Sequence, residues 1–438
     1  MSTPSTDQTA NAQVAADLSE FVSASPSSYH ATAAAAARLD AAGFHRLDER
    51  EPWALESGRG YYVVRDGAII AWMTPAEATT TASAIPPFRV FGSHTDSPAF
   101  KLKPGDDFTT AGVRQVGVEI YGGPLLNSWL DRELAFAGRL SLADGSVVLA
   151  RTPAIARIPQ LAIHLDRQVN EGLTLDKQRH TTPIVGLADL AEADVIEILA
   201  ASAEVDPELV VGHDVYTIPV QEPALFGAAE EFFASPRLDN LLSVHAGVTA
   251  MAGLDADGLD RVAIFAGFDH EEIGSNSRSG ASGPFLADVA ERIVAALYPE
   301  ASRSDYLAAL SASVCVSSDA GHAVHPNYQE RHDPQVRPRL GGGPLLKHNA
   351  QQRYATDAVG TAVWAQACAA AGVEYQDFVS NNSVPCGSTI GPLTATRMGM
   401  TTVDVGPALY SMHSAREMCA ISDVVALGAA AKAFLQGA

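Results

Sequence analysis

Residues 262–274 read Val-Ala-Ile-Phe-Ala-Gly-Phe-Asp-His-Glu-Glu-Ile-Gly. The run from Val262 to Gly267 has the composition of a buried strand, and two adjacent carboxylates, Glu271 and Glu272, follow it directly. Consecutive residues in extended backbone point to opposite sides, so such a pair can offer one carboxylate to a metal and the other to a substrate. One Glu then holds a Lewis acid, while its uncoordinated neighbour takes a proton from water and returns it to a leaving group. A solvated turn is the competing reading of the same pair, and what accompanies it elsewhere in the chain separates the two.

Other segments repeat the arrangement. Arg89-Val90-Phe91 is a short apolar run ending in Gly92-Ser93-His94-Thr95-Asp96-Ser97, and the i, i+2 spacing puts His94 and Asp96 on one side of an extended segment. Ser313-Val314-Cys315-Val316 runs on to Asp319, and Thr401-Thr402-Val403-Asp404-Val405 runs on to His413. Ser235-Pro236-Arg237-Leu238-Asp239-Asn240 opens an amphipathic helix and carries an isolated acid. Open α/β sheets collect ligands outside the carboxyl ends of their strands, so these distant acids and histidines can converge on one crevice.

The candidates are therefore His94, Asp239, Glu272, Asp319 and His413. Five such ligands suit two metal ions about 3.5 to 4 Å apart, bridged by one carboxylate. Imidazole and carboxylate without thiolate point to zinc, with manganese or cobalt as substitutes.

The segments SHTDSPAFKLKP (93–104), SPRLDNLLS (235–243), FDHEEIGS (268–275), SSDAGHAVHPNY (317–328), QRYATDAV (352–359), CGSTIGP (386–392) and MHSAREM (412–418) stand in that order along the chain. Together they resemble the aspartyl aminopeptidase family of dinuclear zinc exopeptidases. The resemblance implies that Asp239 bridges two zinc ions, with His94 and Asp319 completing one site and Glu272 and His413 the other. It also implies that Glu271 is the general base and that Asp96 orients the His94 imidazole. The chain departs from the family pattern at Ala320, where a bulkier residue is expected; the ligand Asp319 is unaffected.

Further implications concern assembly and substrate. The family's inserted domain builds the subunit interface of a tetrahedral homo-oligomer, a dodecamer, and Ile163-His164-Leu165 matches the segment whose histidine reaches a neighbour's active site. His164 would there stabilise the tetrahedral oxyanion. Lys347 and Tyr354 would contact an acidic substrate side chain. On the residues alone, His164 reads rather as a core or interface histidine, Lys347 as a solvated loop residue and Tyr354 as a core aromatic.

Composition sets outer bounds. A chain of 438 residues, 47% hydrophobic and 18% charged, can build two domains with cores and is not disordered. Its net charge of -22 opposes binding to nucleic acid or anionic membranes. Four cysteines without Cys-x-x-Cys spacing suit reduced thiols in a cytoplasmic protein. The polar stretch Met1 to Ala16 lacks the features of an export signal, and no run of about 18 apolar residues occurs.

Along the chain, the expected order is a frayed N-terminus, a helix over Ser28–Ala42 capped by Gly43, and a hairpin of Tyr61–Val64 and Ala68–Met73 turned at Asp66-Gly67. Residues 105–232 then carry short strands such as Val113–Tyr121, Ala135–Leu142 and Val147–Ala150. From Asn240 onward helices such as Leu241–Ala252, Phe285–Leu297 and Ala355–Ala371 alternate with strands. The expected fold is α/β: a mixed-sheet peptidase domain with helices on both faces, formed by residues 1–104 together with 233–438, interrupted by a β-rich oligomerisation domain at 105–232.

The expected function is a metal-dependent aminopeptidase that removes N-terminal Asp or Glu from peptides. The alternatives are a neutral, Leu-type preference, a related carboxypeptidase or deacylase with a cationic grip for a terminal carboxylate, and a noncatalytic metal-binding assembly protein. The uncoordinated Glu271 argues against the last, and no Gly-x-Ser-x-Gly elbow supports serine chemistry.

Overall fold

The computed structural model describes residues 6–76, 85–105, 107–190 and 194–438. Its main sheet has nine strands in the spatial order His45–Arg46, Gly60–Arg65, Ala68–Met73, Val262–Phe268, Phe88–His94, Val314–Ser318, Thr401–Gly406, Leu345–His348 and Gln376–Val379. The four strands from Val262–Phe268 to Thr401–Gly406 run parallel, and antiparallel neighbours flank them on both sides. The sheet is therefore mixed, as expected.

Covering on both faces explains why these strands are apolar throughout rather than alternating. Phe91, Phe265 and Val316 join a core with the helices Leu238–Ala252, Ala358–Ala371 and Ile421–Gln436. Their neighbours Val90, Ile264 and Cys315 join a second core with the helices Phe285–Leu297, Arg303–Ser311 and Ile390–Met398. Packing on the first face is close enough that a Cβ on Gly247 would lie 2.4 Å from the Phe265 ring. Truncating the fully buried Phe265 to Ala would cost about 3 to 5 kcal/mol.

A second, antiparallel sheet draws its strands from Ala99 to Pro219 and forms a half-barrel. Phe100, Leu134, Phe136, Leu140 and Val215 fill its core, closed by Leu199 of a short helix, Val195–Ser202. Asp194 and Glu197 form a capping box that starts this helix within an otherwise β-rich region.

Several local expectations needed correction. The expectation of a frayed N-terminus lies at residues 1–5 outside the described residues; from Thr6 the chain is a helix, Thr6–Ala24, anchored by Leu18, Phe21 and Val22 and by ion pairing of Asp17 with Arg38. Val113–Tyr121 is two strands, Val113–Gln115 and Val118–Tyr121, because the halves pair with different partners. The expected helix from Ala355 starts at Ala358, since Asp357 accepts the Gly360 N–H and caps it. Among the described residues no helix is long and apolar enough to cross a membrane.

Candidate metal centre

The parallel strands deliver their polar residues to one end of the sheet. His94 closes Phe88–His94, Glu271 and Glu272 lie just beyond Val262–Phe268, and Asp319 follows Val314–Ser318. Asp239 sits at the start of Leu238–Ala252, and His413 comes from the loop after Thr401–Gly406, in a left-handed conformation with φ 65°. Left-handed backbone also precedes Asp239, at Arg237 with φ 59°. Such conformations are uncommon for non-glycine residues and here aim two ligand-type side chains inward.

These side chains converge. His94 Nε2 lies 3.4 Å from Asp239 Oδ1 and 3.5 Å from Asp319 Oδ1. His413 Nε2 lies 3.4 Å from Asp239 Oδ2 and 3.5 Å from Glu272 Oε2. Asp239 thus stands between two groups, His94–Asp239–Asp319 and Asp239–Glu272–His413, each with its donor atoms within 4.8 Å of one another. Glu271 forms a further group with His94 and Glu272.

The donor set fits zinc. Direct charge-assisted hydrogen bonds would be shorter, about 2.7 to 2.9 Å, whereas tetrahedral zinc with ligands at about 2.0 to 2.1 Å separates them by about 3.3 to 3.4 Å. Asp239 Oδ1 and Glu272 Oε1 are buried with no hydrogen-bond partner among the described residues. Leaving such oxygens unpaired is costly, and a cation satisfies them.

The imidazoles are oriented through their other nitrogens. His94 Nδ1 donates to the Asp96 main-chain carbonyl at 3.1 Å, with the Asp96 carboxylate 3.3 Å away, and His413 Nδ1 donates to the Gly123 carbonyl at 3.0 Å. A carbonyl only accepts, so Nδ1 carries a proton in each ring, and Nε2 is the nitrogen that faces the carboxylates and would coordinate a metal between them. Asp96 in turn accepts the main-chain N–H groups of Glu271 at 3.0 Å and Glu272 at 3.1 Å.

Electrostatics follow from crowding acids at a buried point. Burial opposes protonation of His94, but Asp239, Asp319 and Asp96 outweigh it and raise the imidazole well above its ordinary range. His413 is likewise pushed up to about 10, chiefly by Asp239 and Glu272 against burial. Burial would raise Asp239, yet the two imidazoles hold it well below the usual carboxylate range. Burial, aided by neighbouring carboxylates and countered by His94, pushes Glu271 up to about 8, and burial with the Asp239 charge raises Glu272. The local field favours cations.

A cavity of about 760 Å³ opens onto the cluster and is lined in part by Glu271, Asp319, Lys347, Tyr354, Thr389 and His413. Lys347 is 1% exposed; its Nζ donates to the Ala320 carbonyl at 2.8 Å and lies 5.3 Å over the Tyr354 ring. The structure thus brings every candidate together except His164, which sits exposed on a turn and does not line this cavity within its own chain.

Three supporting residues escaped the sequence reading. Glu417 is buried and accepts the N–H groups of both Asp239 and His413. Asp404 accepts from Ser317 Oγ, Thr389 Oγ1 and the Ala355 N–H, tying together two walls of the cavity. Tyr121 of the half-barrel donates to Asp96 Oδ2 at 2.7 Å. An acid four residues after His413 was the visible signal for Glu417; Tyr121 had none, because its partner Asp96 lies 25 residues away in the loop between the two sheets.

Comparison with known proteins identifies the family. The family described as Aminopeptidase I zinc metalloprotease (M18) matches residues 21–435. A "Probable M18 family aminopeptidase 2" of Streptomyces coelicolor is 53% identical over 425 residues, covering 96% of this chain and 97% of its own. One of the same name from Mycobacterium tuberculosis is 43% identical over 435 residues, covering 97% and 98%. Among solved structures, one of the Ape4 and Nbr1 complex superposes with a TM-score of 0.92 at 33% identity, covering 100% of this chain and 88% of that one. A mApe1 dodecamer from S. cerevisiae superposes with a TM-score of 0.81 at 27% identity, covering 97% and 95%. With a family match over nearly its whole length and a mixed-sheet fold that carries a zinc-type donor cluster, this chain belongs to the M18 family of zinc metalloaminopeptidases.

Proposed function

We propose that this aminopeptidase removes N-terminal Asp or Glu from peptides and works with two zinc ions per subunit, for which manganese or cobalt can substitute. His94, Asp319 and one oxygen of Asp239 would hold one ion; Glu272, His413 and the other oxygen of Asp239 would hold the second. Zinc bound there supplies Lewis acidity toward the scissile carbonyl and a water acidified into the neutral range. Glu271 takes the proton from the attacking water and returns it to the leaving amine. Asp96 holds the main-chain N–H groups of Glu271 and Glu272 and thereby fixes which carboxylate faces which partner.

Lys347 carries the acidic preference. Its buried ammonium is in the wall of the cavity that holds Glu271, and the Ala320 carbonyl takes only one of its three donors. A substrate carboxylate would meet the remaining donors, with Tyr354 alongside. Phe378, Leu393 and Met412 on the same cavity favour the alternative, a neutral side chain.

Assembly is part of the proposal. The half-barrel unit, which the sequence sets at residues 105–232, would build a homo-oligomeric interface, a dodecamer as in the S. cerevisiae relative. Supporting this, His164 is flanked by Leu161 at 61% and Leu165 at 74% exposure, apolar surface that an interface would cover. His164 of a neighbouring subunit would then donate to the oxyanion. Four free cysteines support a reducing, cytoplasmic setting. The test pairs metal analysis with hydrolysis of Asp-, Glu-, Leu- and Ala-aminoacyl substrates. Two zinc ions per subunit and preference for Asp or Glu are expected; preference for Leu over both acids would overturn the acidic assignment.

A further inference from the structure

The candidate ligands come from the main sheet, its loops and the helix Leu238–Ala252, yet three consecutive half-barrel residues press against two of them and against Asp96, which supports them. Tyr121 ends the strand Val118–Tyr121, which pairs with Ala99–Leu102. Its ring packs edge-on against Tyr216 at 5.2 Å, and its hydroxyl donates to Asp96 Oδ2. Gly122 has φ +69°, and a Cβ there would lie 3.0 Å from Glu272 Cβ and 3.3 Å from Glu272 Oε2. Gly123 presents its carbonyl to His413 Nδ1 at 3.0 Å. Just beyond, the Leu125 N–H donates to the His413 carbonyl at 2.9 Å, and Ser128 Oγ accepts the Ala415 N–H at 2.9 Å.

We propose that Tyr121-Gly122-Gly123 is a positioning clamp through which the half-barrel sets the Glu272–His413 side of the metal centre, beyond any role in assembly. The clamp presupposes the dinuclear site proposed for this chain. Each residue acts on a different atom. Gly123 fixes the His413 tautomer that leaves Nε2 free to coordinate, the role that outer carbonyls play for metal-binding histidines. Tyr121 supplies one donor to Asp96, whose carboxylate also holds the Glu271 and Glu272 N–H groups. Gly122 lets the backbone approach Glu272 without displacing it, which a side chain at that position would do.

A turn glycine that merely needs positive φ predicts something different, and Gly145 provides the control. It lies in the same half-barrel at φ +86°, with nothing within 4 Å of a built Cβ. Gly122→Ala and Gly145→Ala therefore share the backbone strain, and only the former intrudes on a ligand. Metal-free protein would be titrated with zinc against a competing chelator, with kcat and KM measured after reloading. Wild type and Gly145→Ala should show two matching zinc-binding steps. Gly122→Ala should weaken one step about 10- to 100-fold and spare the other, the usual size of an outer-contact loss. Tyr121→Phe removes one oxygen and keeps the ring, so it reads the clamp even if Gly122→Ala does not fold; a kcat lowered about tenfold at constant KM is expected. Equal losses in Gly122→Ala and Gly145→Ala, or unchanged zinc affinity in Gly122→Ala with unchanged kcat in Tyr121→Phe, would overturn the clamp. Wild-type protein that binds no zinc would overturn the metal reading and the clamp with it.

Discussion

Glu417 lies directly behind Asp239, accepting its main-chain N–H on Oε2 at 2.9 Å, while Oε1 accepts the N–H of His413 at 2.6 Å. One buried carboxylate therefore sets the distance between two segments that are far apart in sequence and carry ligand-type residues. Glu417→Gln retains the shape but turns an amide NH₂ toward one of the two N–H donors. Zinc affinity should fall about 10- to 100-fold, with chain folding preserved. Chelator competition measures it, and wild-type affinity in the variant would show that the contact is structural filler.

Glu271→Gln separates proton transfer from metal binding. Both zinc ions should stay while turnover falls by about two to four orders of magnitude, the range for losing a positioned acid-base group. Metal analysis beside steady-state kinetics checks this. Loss of zinc in parallel with activity would make Glu271 a ligand instead.

Lys347→Met tests specificity. Losing a charge-assisted hydrogen bond of about 1.5 to 3 kcal/mol should lower kcat/KM for Asp and Glu substrates about ten- to a hundredfold. Leu substrates should change little, and zinc content should hold. A parallel fall across all substrates would assign Lys347 to the fold, through its bond to the Ala320 carbonyl.

His164 invites complementation. Chains carrying His164→Phe and chains carrying Glu271→Gln, each impaired alone, should regain activity when assembled together, because some sites would then combine an intact Glu271 with a neighbour's intact His164. Verified hybrid assemblies that stay inactive would return His164 to the surface of its own chain.

Asp423 gives a pH-dependent stability. It is 1% exposed, accepts the Gly341 and Gly343 N–H groups, and burial raises its carboxyl to about 6 from an ordinary 3.8. Between those values the folded chain holds a proton that the unfolded chain has lost, so stability falls as pH rises, by up to about 3 kcal/mol. Asp423→Asn lacks that titration. The stability advantage of wild type over Asp423→Asn should therefore shrink between pH 4.5 and 7, and denaturation curves showing a constant gap would refute the linkage.

How much of this was visible beforehand can be traced residue by residue. The strand Val262–Phe268, the helix Phe285–Leu297 and the Asp66-Gly67 hairpin were legible because composition and periodicity act locally. The helix Thr6–Ala24 is hard to see locally although Val14, Leu18, Phe21 and Val22 recur at helical spacing, because the residues before Ala16 are mostly polar and the helix is held by packing against distant elements. The break between Gln115 and Val118 was hidden, since it arises from two different pairing partners.

The sequence by itself determined the chemistry: which acids and histidines stand at strand ends, that Glu271 adjoins Glu272, and that the donors are of zinc type. Those follow from residue identity and a period of two. Only the tertiary structure decided which oxygen of Asp239 faces which imidazole, that Glu417 ties Asp239 to His413, and that Tyr121 reaches Asp96 from another sheet. The first two join segments more than a hundred residues apart and the third joins a strand of the half-barrel to the loop between the two sheets, and all depend on strand order and backbone conformation that no local pattern encodes.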